Sequence, residues 1–541
     1  MTDKGEIYRQ EGYWTDKLLT HYFERAVENT PDKIAVSDER FGSFTYGEMQ
    51  TRVGRLAAAL QAGGIERGDR FIVALPNWHQ VYALSLALNY VGAIAVHMPF
   101  MGGMHEYGGV IKVAEAKGIA VAGQFGSTNY VSIVDSIGDK ADSLDLKVSV
   151  GCDEEHPGWI SFDDLLAGAP ADKPEPVELL SPSELSLLLF TSGSTGDPKG
   201  VMHCSNSISA LNTTVAPLYN LGSDEVIYMA APLGFSGGYV HGLRLSIYLG
   251  ARLILQEKWE SERALEIMVQ EKATFTMATP TLVSDFLNCE KFEDYKDDIV
   301  LKVILCGGAA VPSHLLKEAR KKLPQTLTTV IWGMTEGIGT ASRLDMSDDE
   351  ITQSDGRPFL GTELKIISDE DNDVPVNEEG DLVMRGPQLF MGYFKRPELD
   401  DEFFMPGGWF RTGDMGRIDA AGLLHITGRR KELIIRGGAN ISPAEIEEAL
   451  TGDPRIRQLA IVGVSDERLG EQVCACVIPN ENGKDLTLPD ILEIAKRQGL
   501  AKYKWPAALE IGDAFPLTSS GKLKRLALRE EIEAKQNGHG A

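Results

Sequence analysis

LLLFTSGSTGDPKGV, from Leu187 to Val201, changes character twice within a few residues. The apolar run Leu187–Phe190 has the length and composition of a buried strand. It delivers the chain into Thr191, Ser192, Gly193, Ser194, Thr195 and Gly196, followed by Asp197, Pro198, Lys199 and Gly200. Hydroxyls and free backbone amides in such a loop can wrap phosphate oxygens. Gly193 and Gly196 permit close backbone approach, and Lys199 supplies a positive charge. A Walker-type loop requires G-x-x-x-x-G-K-[ST], and the fifth residue after Gly193 is Pro198, so that reading fails. A flexible Gly/Ser linker would not be entered by LLLF and left by GVMH. The stretch therefore predicts an anion-binding loop at the end of a buried strand.

Working outward, the flanks alternate short β-branched runs with helical patterns. YGEMQTRVGRLAAALQAGG (46–64) reads as an amphipathic helix stopped at Gly63-Gly64. RFIVALP (70–76) reads as a strand, HQVYALSLALNYVGA (79–93) as an apolar helix and IAVHMPF (94–100) as the next strand. VIYMAAP, RLILQ, TFTMATP, KVILCGG and TVIWG repeat the pattern further on. Strand, helix, strand in this order implies α/β units with largely parallel sheets. Glycines and small polar residues gather at the carboxyl ends of these runs, the edge where open α/β sheets bind ligands. After about residue 360 the segments TELKIIS, DLVMRG and LLHITG, separated by turns, predict a β-rich subdomain spanning about 360–428. From Arg429 onward a compact α+β unit follows. The expected division is therefore an N-terminal domain over 1–428 and a small mobile domain over 429–541, with the charged, glycine-flanked LHITGRRKELIIRGG (424–438) as candidate hinge.

The 541 residues exceed one ordinary domain. An apolar share of 43% and a charged share of 24% are those of a globular protein. The net charge of −26 makes nucleic acid a poor partner. It also means that an anionic ligand must be held by a few placed cations, amides and a metal. No apolar stretch is long enough to span a membrane and MTDKGEIYRQEGYW is unlike a signal peptide, so a cytoplasmic location is expected. Six scattered cysteines form no CxxC pair and read as reduced thiols, Cys474 and Cys476 alternating along a strand. Oligomeric state is left open.

TSGSTGDPKG closely resembles the phosphate loop of the adenylate-forming superfamily, which includes acyl-CoA synthetases, peptide-synthetase adenylation domains and luciferases. Further segments follow in that family's order along essentially the whole chain, and the AMP-dependent acyl-CoA ligase branch is the nearest in kind. Leu305–Ala309 resembles the loop lying against adenine, so Gly307, Gly308 and Ala309 are implied to contact the base. Trp332-Gly333-Met334-Thr335-Glu336-Gly337 resembles the nucleotide and metal segment: Thr335 would touch the AMP phosphate and Glu336 would help hold Mg²⁺. WFRTGD (409–414) resembles the ribose motif through Asp414, and Arg429 the second ribose or phosphate contact. Lys431 falls at the hinge position. Gly437-Gly438 resembles the loop entering the site for the second half-reaction, and PLTSSGK (516–522) the catalytic-lysine motif ending at Lys522. Taken alone, each has a plainer reading: a turn, a solvated carboxylate, a surface lysine. The resemblance implies ATP and coenzyme A as substrates and acid activation through an acyl-adenylate. Because only the polar EIEAKQNGHGA follows the C-terminal unit, free coenzyme A is expected as the thiol. Loading of a separate carrier protein, or a non-catalytic nucleotide-binding role, are the alternatives.

APLGFSGGYVHG (231–242) falls at the acyl-pocket segment. Phe235 stands where ligases for medium-chain, alicyclic or aromatic acids often carry His. That departure removes a polar group and predicts a drier or larger pocket, unless Phe235 is plain core. Gly238, His241 and Gly337 are the other expected pocket residues, with Trp332, Met334, Gly307 and Gly308 beside them.

Overall fold

Strand runs rich in branched residues pair mostly in parallel, and helices cross over between them. The computed structural model describes residues 4–152, 155–191, 198–436, 439–466, 468–498, 500–517 and 523–538. A nine-stranded sheet runs in the order Arg357–Pro358, Gly337–Ala341, Leu327–Met334, Val303–Gly307, Phe275–Ala278, Val226–Met229, Arg252–Leu255, Ile34–Asp38, Gly42–Thr45. Its interior pairs are parallel and only its two ends are antiparallel. A seven-stranded sheet runs from Lys199–Cys204 through Leu185–Thr191, Ile94–His97, Arg70–Ala74, Gly118–Ala122 and Leu146–Val150 to Ile160–Ser161. There the single antiparallel pair is Leu185–Thr191 with Lys199–Cys204, which sets Thr191 opposite Lys199 on either side of the 192–197 loop.

Local signals explain the helices. Tyr46–Ala62 starts on a capping box: the Thr45 side chain accepts from the Glu48 amide and the Glu48 carboxylate accepts from the Thr45 amide. His79–Tyr90 is buried on nearly every face, as its uniformly apolar sequence requires. Trp78, Tyr46, Tyr82 and Phe71 are fully buried in one core shared by both sheets.

The β-rich segment forms its own sheet from Glu363–Ile367, Gly380–Arg385, Phe404–Met405, Trp409–Ile418 and Leu424–Arg429. A further sheet begins at Ile434–Arg436 and contains the long hairpin Ile456–Asp466/Gly470–Pro479. Helices Pro443–Leu450 and Leu488–Arg497 cover one face of it, and the last helix, Arg525–Gly538, covers the other. Cys474 and Cys476 both point to the second face, against Leu528 and Ile532, and all six cysteines are free thiols. No helix among the described residues is long and apolar enough to cross a membrane.

Four histidines are buried, and three of them, His97, His203 and His241, face no carboxylate, unlike His79 on Asp38. Burial lowers His97 to about 3 and the other two to about 4. The native state therefore holds them neutral, while an unfolded chain protonates them near 6.5. Their contribution to stability is complete above pH 6.5 and is lost as pH falls toward 4. Urea midpoints should drop over that window, each histidine contributing about 1.4 kcal/mol per pH unit. His203→Gln should flatten the drop by one proton, and an unchanged slope would contradict this.

Candidate active site

The strand Leu327–Met334 carries Trp332 and Met334 to the carboxyl edge of the nine-stranded sheet, with Thr335 and Glu336 in the turn that follows. Beside it, Val303–Gly307 ends in Gly307, Gly308 and Ala309. Gly308 has φ +83°, a left-handed conformation that favours glycine, and it turns the chain out of the strand. The β-rich sheet packs Phe390, Tyr393 and Phe410 against Trp332 and Met334. That contact brings the third motif into place. In the antiparallel pair Trp409–Ile418/Leu424–Arg429, Asp414 stands opposite Arg429.

Asp414 is 4% exposed and doubly held. The Arg429 Nε donates to its Oδ1 at 3.0 Å and the Trp332 indole N–H to its Oδ2 at 2.9 Å. Burial raises its carboxyl above the usual range, and the Arg429 guanidinium opposes that rise. Thr412 fixes the backbone here, donating to the Leu382 carbonyl and accepting from the Asp414 amide. The sequence reading gave Trp332 to the nucleotide segment, with the acyl pocket and the core as further readings. It is in the core, and its one polar atom is spent orienting Asp414.

Glu336 is only partly exposed. Its Oε1 accepts from the Tyr393 hydroxyl at 2.7 Å, and its carbonyl accepts from the Phe390 amide at 2.8 Å. Burial raises its carboxyl, with the Tyr393 bond and Lys199 acting against the shift. The Thr335 carbonyl accepts from His203 Nε2 at 2.8 Å, so His203 carries its proton there, and its Nδ1 lies 3.1 Å from Ser207 Oγ. His203 follows Lys199 in the strand Lys199–Cys204, which ties the Thr335 turn to the strand leaving the 192–197 loop.

The Lys199 ammonium lies 5.5 Å from the ring centroids of both Tyr393 and Phe403. Burial lowers its pKa, Lys431 adds to the effect, and Glu336 opposes it. Lys431, exposed in the turn Arg430–Glu432, reaches the same Phe403 ring at 5.9 Å. Neither His203, Tyr393 nor Phe403 was singled out from sequence. Each lies in an ordinary-looking run, and only the fold reveals which motif it supports.

Of the expected acyl residues, Phe235 is half-buried and its carbonyl accepts from the Tyr239 amide as a short helix begins. A Cβ on Gly238 would lie 2.4 Å from the Pro232 carbonyl, so nothing larger fits. The helix Tyr239–Arg244 is wound as a π-helix, a form that recurs at functional sites. It buries His241, neither of whose ring nitrogens has a partner among the described residues. Gly337 is buried at the start of Gly337–Ala341. Ser192 to Gly196, Gly438 and Lys522 lie outside the described residues.

The AMP-binding enzyme family profile matches residues 23–394, and the AMP-binding enzyme C-terminal domain matches 445–522. The chain belongs to the AMP-binding enzyme family. It is 34% identical to the medium-chain fatty-acid–CoA ligase of Escherichia coli (strain K12), across 97% of this chain and 92% of that one. It is 31% identical to a salicylyl-CoA synthase / salicylate adenylyltransferase of Streptomyces sp, across 98% and 97%. The ATP-bound MatB structure from Rhodopseudomonas palustris superposes with a TM-score of 0.85 at 25% identity, covering 95% of this chain and 98% of that one. As an AMP-binding enzyme the chain has the family's large α/β region followed by a small α+β unit.

Among the described residues no group of three or more His, Cys, Asp or Glu side chains is arranged to hold a metal. Glu336 and Glu402 are the carboxylates whose charge reaches Lys199, and Glu336 Oε1 accepts from Tyr393. Magnesium is commonly held by one or two carboxylates, water and substrate phosphates rather than by an all-protein cage, so this donor set fits it.

Proposed function

We propose that this chain is an ATP-dependent carboxylic acid–coenzyme A ligase acting on medium-chain fatty acids or on alicyclic or simple aromatic acids of similar size. The observation that carries this reading is the likeness, along 97% of the chain, to a medium-chain fatty-acid–CoA ligase. The aromatic-acid relative and the apolar Phe235 segment extend it toward ring acids.

The substrate carboxylate attacks the α-phosphorus of ATP. The new C–O–P linkage is the acyl-adenylate, and pyrophosphate leaves with the bridging electron pair. The coenzyme A thiol then adds to the acyl carbon, its proton is lost, and AMP departs. Two anions must meet in the first step, so cations and amides have to be in place beforehand. In this reading Asp414 accepts the ribose hydroxyls, with Arg429 and Trp332 fixing its orientation. Gly307, Gly308 and Ala309 border adenine, Gly333 and Met334 line the nucleotide, and Thr335 meets the α-phosphate. Thr191 to Gly196 and Lys199 hold the β- and γ-phosphates, and Lys522 bridges the reacting carboxylate and the α-phosphate. Magnesium on Glu336 would neutralise phosphate charge when bound. Lys431 is the pivot about which the chain beyond it turns to bring Gly438 in for thiol attack, a hinge closure of a common kind. Phe235, Gly238, His241 and Gly337 border the acyl group.

The test is a panel of carboxylic acids with ATP, Mg²⁺ and coenzyme A, read by AMP release. Rates should peak for medium-chain, alicyclic or simple aromatic acids. Activity confined to acetate or to amino acids would sink the assignment, as would AMP release that requires a carrier protein in place of coenzyme A.

A further inference from the structure

Tyr393 touches both charged groups assigned to the phosphate end of the site. Its hydroxyl donates to Glu336 Oε1 at 2.7 Å, and its ring lies under the Lys199 ammonium at 5.5 Å. Tyr393 is itself tightly held. It is 4% exposed, its amide donates to Asp400 Oδ1 at 2.8 Å, and its backbone bridges Val201, two residues from Lys199. Phe390 and Phe403 pack against its ring.

A lysine and a glutamate near one another in a protected site would ordinarily pair, and each would then be spent. Among the described residues the Lys199 ammonium makes no ion pair or hydrogen bond, and two aromatic rings lie against it. A ring's negative face attracts an ammonium without neutralising it. A phenol bonds a carboxylate oxygen without removing its charge.

We propose that Tyr393 is a positioning residue that keeps Lys199 and Glu336 from pairing with each other, leaving the ammonium open for phosphate and the carboxylate open for the metal. This rests on the reading of both groups as nucleotide-site residues. Tyr393→Phe removes the hydroxyl and keeps the ring. Tyr393→Leu removes both.

Mg·ATP binding, measured by calorimetry without acid, is the readout, alongside the KM for the acid and the thermal midpoint. Tyr393→Phe should weaken binding about ten- to a hundredfold, the worth of one charge-assisted hydrogen bond. In a Glu336→Gln background, where no pair can form, the same change should cost less than about twofold. Tyr393→Leu should weaken binding further, and that extra loss should vanish in a Lys199→Ala background. The KM for the acid should hold steady throughout. Equal losses in every background, or no loss in Tyr393→Phe, would overturn the proposal and leave Tyr393 a packing residue. If Lys199→Ala and Glu336→Gln each leave Mg·ATP binding unchanged, the nucleotide-site reading itself falls and the proposal with it.

Discussion

Lys522→Ala is expected to lose acyl-adenylate formation by about 10²–10³-fold, the usual consequence of removing a donor aimed at developing charge. Thioester formation from a preformed acyl-adenylate should stay close to that of the unaltered protein. Lys522 lies outside the described residues, but its approaches are well anchored. Leu517 and Leu523 form a bridge, and the Lys524 amide donates to the Pro516 carbonyl at 2.8 Å. Arg525 then binds Glu432 at 3.0 Å and Glu447 at 2.7 Å. In the proposed mechanism Lys522 moves with the C-terminal unit and reaches the acid only when that unit faces it. Pyrophosphate exchange measures the first step, and synthetic acyl-adenylate with coenzyme A measures the second. Equal loss in both would mean that one arrangement of the chain serves both steps, contrary to the proposed pivot at Lys431.

Asp414→Ala should raise the KM for ATP by about 10²-fold while leaving the KM for the acid within a few-fold. Two effects add. The proposed ribose acceptor disappears, and the groups that oriented it lose their partner. Trp332 is 9% exposed, so its indole N–H would be left buried and unpaired, at about 1–3 kcal/mol of folding stability. Arg429, with more than half its side chain in solvent, rehydrates at little cost. Asp414→Asn keeps an acceptor for Trp332, so it should recover most of the stability and little of the ATP affinity. Urea unfolding beside ATP kinetics separates the two. A stability loss with an unchanged KM for ATP would confine Asp414 to a structural role.

Much of this arrangement was legible in the sequence. Runs such as RFIVA and KVILCG can only be buried strands, and the helices between them force parallel order. The ends of those strands then had to carry the chemistry. What was hidden depends on distance along the chain. Trp332 and Asp414 are 82 residues apart, and nothing local in either says that an indole donates to that carboxylate. Tyr393 sits in MGYFKRP as one aromatic among several, and its partner Glu336 comes from another sheet. His203 in VMHC reads as a stray polar residue until the Thr335 carbonyl is placed beside it. The π-helix at Tyr239–Arg244 is only six residues long, too short to leave a periodic signature of its own.

The Arg525 ion pairs bear on how the molecule would reorganise between its two steps. Glu432, Glu447 and Arg525 all lie beyond Lys431 in the chain. A swivel at Lys431 therefore breaks none of them, and the helix Arg525–Gly538 travels with the sheet that begins at Ile434. Among the described residues such a swivel must undo the Lys431 contact with Phe403, the Ser442 hydroxyl's bond to the Thr427 carbonyl, and the packing of the helix Pro443–Leu450 against the strand Leu424–Arg429. The energetic toll of changing over is thus concentrated in a few groups at the seam, and substitutions there should alter the tempo of alternation without disturbing either resting form.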